Sequence, residues 1–228
     1  LKVKPSYFKP IIGLERGLTD PITDLNMGQT AEVVGHLFGI TRAQSDAYAA
    51  ESHKRLAKAQ SEGWLKGEVE TAFARDGKFY DHDDGVRPGS TPESLAKLKP
   101  VFERPWGKVT AGNSSQITDG AAALLVMTET RAAELGFKPI GALTGYAYTG
   151  CDPARMGLGP VSAIARANQL TGLKVDDADL VEINEAFAAQ AIAVNREMGW
   201  DTGRINVNGG AIAIGHPIGA SGCSNRVT

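Results

Sequence analysis

The sequence predicts a layered α/β protein, and three observations predict it. From Lys108 onward, short apolar stretches suited to strands alternate with helix-period segments. Ahead of them stand two amphipathic helical patterns with readable boundaries. Near the end, a short apolar stretch runs straight into a glycine-padded turn, NVNGGAIAIGHPIGASG (206–222). Glycine takes positive φ without steric cost, so such a turn brings backbone close to whatever it faces.

In chain order, residues 29–38 place Thr30, Val33, Val34 and Leu37 at helical spacing. Thr41 is positioned to cap a longer helix from Arg42 to about Glu62, ended by Gly63. Its alanines and alternating charges predict one packed face and one solvated face. Residues 68–105 hold few apolar side chains and are broken by Gly77, Gly85, Pro88, Gly89, Pro92, Pro100 and Pro105. That is a loop-rich excursion, and loops of this length in compact proteins are often functional. After Thr118-Asp119-Gly120, the run 121–127 suits a buried strand or a buried helix, since periodicity alone does not separate them. Residues 140–148 alternate as a strand. Gly159-Pro160 leads into a helix over 161–171, and DLVEI (179–183) reads as a short buried strand. An alanine-rich helix over 185–198 and a strand at 205–207 complete the series. There is no internal repeat.

Composition bounds the function classes. A chain of 228 residues with 42% hydrophobic and 22% charged residues is long enough for a real core. Its 24 basic and 26 acidic residues leave a net charge of −2, which offers no footprint for nucleic acid or an anionic membrane. No apolar run approaches the roughly 20 residues of a membrane-spanning helix. Two cysteines, Cys151 and Cys223, make no disulfide framework and favour a reducing, cytoplasmic setting. Residues 1–9 carry no signal-peptide pattern, although the chain opens on Leu1, and an upstream targeting segment would make an organellar matrix the alternative. The expectation is that both ends are cuts.

His216 is the first residue suited to chemistry. Pro217 pushes it from the helical region, and the surrounding glycines present its imidazole toward a cleft. There it would activate a nucleophile or donate to a developing oxyanion. Asn184 has two readings: an ordinary cap of the following helix, or a polar site residue at a strand-to-helix junction. Ser114 and Ser115, in TAGNSSQITDG (110–120), either bind amide or phosphate groups or satisfy turn backbone. The run Asp81-His82-Asp83-Asp84 is read as a solvated loop and no metal site is expected, because four consecutive residues do not converge on one ion. His36 and His53 are expected at the surface or an interface. Neither cysteine has the electropositive surroundings that lower a thiol pKa, so both are read as structural.

Taken together, MGQTAE (27–32), TAGNSSQITDGAAA (110–123), GLGP (157–160), NEAFAAQ (184–190) and the 206–222 turn stand in the order found in thiolases. The whole chain resembles that family, and the last two motifs are the most specific. The resemblance implies an incomplete thiolase-like α/β fold carrying an inserted loop domain. Residues 1–107 would be the loop domain that binds coenzyme A, 108–138 the end of the N-terminal core half, and 139–228 a partial C-terminal half. It implies Claisen condensation of acyl-CoA or thiolytic cleavage of 3-ketoacyl-CoA. Coenzyme A and acyl-CoA would be substrates, with no permanently bound cofactor.

By the same resemblance, His216 matches the histidine that activates the nucleophilic cysteine, and Asn184 the asparagine that positions an oxyanion-hole water. Met27 matches a residue lining the acyl pocket. Arg87, Ser94 and Ser115 match contacts to the nucleotide or pantetheine, and Phe187 lies near the pantetheine end. The family's nucleophilic cysteine would precede Leu1, and its acid/base cysteine would follow Thr228. Cys223 follows a turn where the family has a small residue, and the Ser224–Thr228 tail departs from the usual apolar helix. The chain alone is therefore expected to be inactive. The alternatives are a non-catalytic CoA- or lipid-binding module and an accessory subunit. Asn184 in NEAF favours a short-chain or broad-range enzyme, whereas the 27–70 segment looks closer to fatty-acid-degrading relatives. The family's dimers, often paired into tetramers, imply a homo-oligomer.

Overall fold

A computed structural model describes residues 12–225. Residues 1–9, read above for a targeting pattern, and the last three residues of the tail lie outside them. Among the described residues, helices dominate: α1 (Gly13–Gly17), α2 (Met27–Leu37), α3 (Arg42–Ser61), α4 (Pro92–Ala96), α5 (Glu129–Leu135), α6 (Gly159–Thr171), α7 (Ala188–Met198), α8 (Ala211–Ile214) and α9 (Ser221–Ser224).

Local chemistry sets most of these boundaries. Asn26 and Gln29 form a capping box at the start of α2, and Thr41 and Gln44 form another at the start of α3. α3 closes just before Gly63, whose φ is +71°, and Gly172 and Gly199 take the left-handed conformation that ends α6 and α7. α7 begins at Ala188, three residues later than expected, because Glu185 is drawn out of the helix by partners described below.

The strands differ more. A two-stranded antiparallel hairpin, β1 (Ala72–Phe73) and β2 (Phe79–Tyr80), forms inside the 68–105 excursion. The expected strands at 179–183 and 205–207 meet in one parallel bridge, Val181 to Ile205. Residues 121–127 and 140–148 belong to no strand or helix, and Leu125, Val126, Ile140, Leu143, Tyr146 and Tyr148 are all exposed. The expectation of a buried element over 121–127 is therefore corrected. A strand is held by its neighbours' backbone, and none of the described residues supplies that ladder here.

The core is organised around α7. Ala188 packs with Ala49, Ala50, Leu95 and Ile212; Ala189 and Ala193 pack with Val34 and Ile40; Val194 packs with Ile183, Trp200 and Ile205. One helix thus joins three clusters, and its alanines let neighbours approach from several sides. α3 crosses beside it against α4, α7 and α8. At its start Arg42 bonds Asp46 at 2.8 Å and reaches the carbonyls of Leu95 and Leu98. Asp46 in turn accepts from Asn113 Nδ2 at 2.8 Å, which pins the 110–116 loop to α3.

His53, expected at the surface or an interface, is buried on α3, where its Nδ1 accepts the Arg87 N–H at 3.2 Å. Burial, helped by the Arg87 charge, lowers its pKa and keeps the ring a neutral acceptor. His36 is exposed as expected, between Lys108 Nζ at 2.9 Å and Glu103 at 2.6 Å. Cys151 is exposed, so packing does not account for it, and Cys223 is half-buried.

Candidate active site

Two glycine-bearing segments meet over α3 and α8. The first is 113–120. Asn113 O accepts from Ala188 N, Ser115 N donates to Ala186 O, and Ser114 forms a bridge with Phe187. The second is the 206–222 turn. A Cβ on Gly120 would lie 2.7 Å from Pro217 Cγ, and one on Gly215 would lie 2.6 Å from Thr118. Gly215 also has φ +110°, which an L side chain rarely adopts. The glycines therefore let the two segments close on each other.

Gln116 works as the rivet. Its Nε2 donates to Gly85 O at 2.8 Å and lies 3.4 Å from the carbonyls of Ile212 and Ala213, while its own carbonyl accepts from His216 N at 3.4 Å. The 81–94 loop is thereby brought against α8 through Gly85, where a Cβ would fall 2.7 Å from Ala213 O.

His216 and Asn184 come together in this fold. His216 Nε2 lies 3.3 Å from Asn184 Nδ2, and Nδ1 lies 2.6 Å from Ser221 Oγ. The amide nitrogen can only donate, so it suits an Nε2 that carries a lone pair. The ring proton then sits on Nδ1 and is donated to Ser221, which passes its own proton to Pro217 O at 3.1 Å. Burial lowers the His216 pKa below 6.5, so the imidazole is neutral and basic near pH 7. Asn184 Oδ1 is buried and has no hydrogen-bond partner among the described residues, leaving an acceptor beside the imidazole. The capping reading for Asn184 fails, since Phe187 occupies the N-cap position of α7.

Behind the pair lies a buried carboxylate. Glu185 accepts from Tyr48 OH at 3.1 Å, Ser52 Oγ at 2.7 Å, Asn206 Nδ2 at 2.7 Å and Ile212 N at 3.3 Å. Burial raises its carboxyl pKa, and those donors offset only part of that rise. Bonds to a charged group are worth about 1.5–3 kcal/mol each. Asn206 also accepts from Ile183 N and donates to Ile183 O, so it mimics a strand neighbour for the 181–183 stretch.

The other sequence-selected residues are spread around this centre. Ser115 and Phe187 share the backbone pairing beside Asn184. Arg87 is exposed and its backbone N–H donates to His53 of α3, and Ser94 spends its hydroxyl on the capping box of α4 with Thr91. Met27 opens α2 half-buried and belongs to none of the three buried clusters. Gln116, Ser221, Glu185 and Asn206 were missed as individuals, although each lies inside a quoted motif.

A cavity of about 440 Å³ opens from Asn184 toward α6, lined by Tyr146, Ile164, Val181, Glu182 and Trp200. Burial first, then the Glu185 charge, pushes Glu182 up to about 7. A carboxyl raised from 4.5 holds its proton longer in the folded state, so its stabilising share is full below pH 4.5 and is lost as pH rises through about 7. The wild-type thermal midpoint is expected to fall relative to that of Glu182→Gln as pH rises from about 5 to about 8. A difference between the two midpoints that stays constant across the window contradicts the assignment.

Among the described residues, Glu32, His36 and Glu103 place potential ligand atoms within 4.8 Å of one another. Glu32 already accepts the N–H groups of Lys108 and Val109, and the Lys108 ammonium sits on His36. The trio is wired as a hydrogen-bonded chain.

Comparison with known proteins decides the family. The thiolase N-terminal domain model matches residues 6–130, and the thiolase C-terminal domain model matches residues 137–228.

The chain belongs to the thiolase family.

An acetyl-CoA acetyltransferase of Chromobacterium violaceum is 48% identical over 216 residues, covering 93% of this chain and 55% of that protein. The crystal structure of the Bacillus anthracis acetyl-CoA acetyltransferase superposes with a TM-score of 0.91 at 40% identity, covering 94% of this chain and 55% of the other. Human mitochondrial 3-ketoacyl-CoA thiolase in complex with CoA gives 0.87 at 38% identity, covering 96% and 57%. This thiolase chain thus spans about half the length of the relatives it matches. The superpositions show the thiolase-like α/β fold.

Proposed function

We propose that this chain carries the histidine–asparagine half of a thiolase acyltransferase site together with its coenzyme A-binding loop domain, residues 1–107. The observation that carries the reading is the 3.3 Å approach of His216 Nε2 to Asn184, where two glycine-bearing segments converge. The neutral imidazole takes the proton of an attacking thiol, and the resulting thiolate takes the acyl group from acyl-CoA. The C–S bond of the acyl-CoA breaks, releasing CoA as a thiolate that recovers the proton from the imidazolium. Until that return the imidazolium donates toward the thioester oxygen. Asn184, with its free buried Oδ1, orients a water that stabilises the same oxygen. Reaction in the synthetic direction joins two acyl-CoA molecules; in the other it cleaves a 3-ketoacyl-CoA. Arg87, Ser94, Ser115 and Phe187 hold the CoA, and Met27 lines the acyl end.

Calorimetric titration of free CoA into this chain tests the binding half of the reading. Saturable 1:1 binding is expected, weakened about tenfold by Arg87→Ala, the loss of one charge-assisted contact to phosphate. Absence of binding, or binding indifferent to Arg87→Ala and Phe187→Ala alike, removes the assignment of residues 1–107.

A further inference from the structure

His216 and Asn184 lie on separate segments, 32 residues apart, and their side chains meet across that gap at 3.3 Å. What sets their separation lies one layer deeper. Glu185 follows Asn184 in the chain, and its Oε2 receives the N–H of Ile212, four residues ahead of His216. The same carboxylate receives Ser52 Oγ and Tyr48 OH from α3 and Asn206 Nδ2 from the start of the glycine turn. Ser52 Oγ also accepts from Gly210 N at 3.0 Å, so hydroxyl and carboxylate grip the turn together. Gly210 packs flat on the carboxylate: a Cβ there would fall 2.6 Å from either oxygen. Asn206 Nδ2 and Ile212 N can only donate, and the ionised carboxylate is the form that meets all of its donors.

We propose that Glu185 is the positioning residue of the site: one buried carboxylate that sets the distance between His216 and Asn184 by holding both of their segments to α3. It touches no reacting atom. The proposal rests on the thiolase reading for its catalytic meaning, while its geometric content stands on the contacts alone. Glutamine at this position keeps the shape but exchanges one acceptor oxygen for a donor, so at least one of Tyr48, Ser52, Asn206 and Ile212 is left facing a donor.

The test is nuclear magnetic resonance of the His216 ring in this chain, as wild type, Glu185→Gln and Ile40→Ala. Ile40 is fully buried in a different cluster, so its variant loses stability without touching the carboxylate. Wild type is expected to show the Nδ1–H tautomer and a depressed titration midpoint. In Glu185→Gln the tautomer preference is expected to be lost and the midpoint to return toward about 6.5, while Ile40→Ala leaves both unchanged. If Glu185→Gln does not fold, Ser52→Ala removes one donor and is expected to move the same signals in the same direction by less. An unmoved His216 ring in a folded Glu185 or Ser52 variant, or an equal movement in Ile40→Ala, overturns the proposal. The readout uses no CoA, so failure of CoA binding strikes the functional reading without touching this one.

Discussion

Gly209→Ala is expected to destabilise the protein by about 3–5 kcal/mol, the sum of backbone strain and overpacking. Gly209 has φ +87°, and a Cβ there would lie 2.6 Å from Ser52 O, 2.8 Å from Leu56 N and 2.9 Å from Leu56 Cβ. The first two are helix backbone, which cannot rotate away as a flexible side chain would. Relief would require the turn to back off α3, which separates Gly210 N from Ser52 and Ile212 N from Glu185. Urea denaturation followed by circular dichroism measures the effect as a lowered midpoint. A loss below about 1 kcal/mol, near the ordinary range for point substitutions, would mean that the turn is not clamped as described.

His216→Ala carries the largest expected effect on chemistry. Thiolysis of acetoacetyl-CoA is expected to be absent from the 228 residues alone, since neither cysteine has the setting of the family's nucleophile. Turnover by this chain that is abolished on alkylating Cys223 would reverse that expectation. Joining these residues to the remaining segments of the 48% identical Chromobacterium violaceum enzyme, of which they cover 55%, gives a protein in which the histidine can be assayed. There His216→Ala is expected to lower kcat by about 10²–10⁴, the usual share of a general acid–base group, with a smaller change in KM. A kcat within tenfold of the parent chimera would remove His216 from the chemistry.

Helix ends were the most legible part of the fold because their chemistry is local. Thr41 with Gln44 and the glycines at 63, 172 and 199 set boundaries that need only neighbouring residues. Residues 121–127 and 140–148 show the opposite limit. Their apolar content signals a strand, but a strand is completed by a backbone neighbour that its own sequence does not contain. The start of α7 was misplaced because Glu185 is satisfied by Tyr48 and Ser52, over 130 residues away. The choice between surface and interface stayed open for His53 for a similar reason: a helical position does not say whether Arg87 will arrive to meet it.

The candidate site divides the same way. His216 and Asn184 were legible because strained, glycine-rich and junction contexts mark residues that packing alone does not explain. Ser221 and Gln116 are ordinary polar side chains in sequence. They gain their roles only when 113–120, 81–94 and 206–222 converge, and periodicity does not encode that convergence.

The grip of α3 on the glycine turn also imposes an order in time. Ser52 bonds Glu185 and Gly210 across 133 and 158 residues of chain, and Arg55 bonds Ile205 O across 150. Bonds of such span close late, because the loop entropy must be met before they return anything. During synthesis α3 can form early, but Tyr48, Ser52 and Arg55 must wait with their polar groups hydrated until residues 185–212 have been made. The histidine and asparagine are therefore set in place near the end of folding, and a polypeptide stopped before residue 212 holds the platform without the turn it was built to carry.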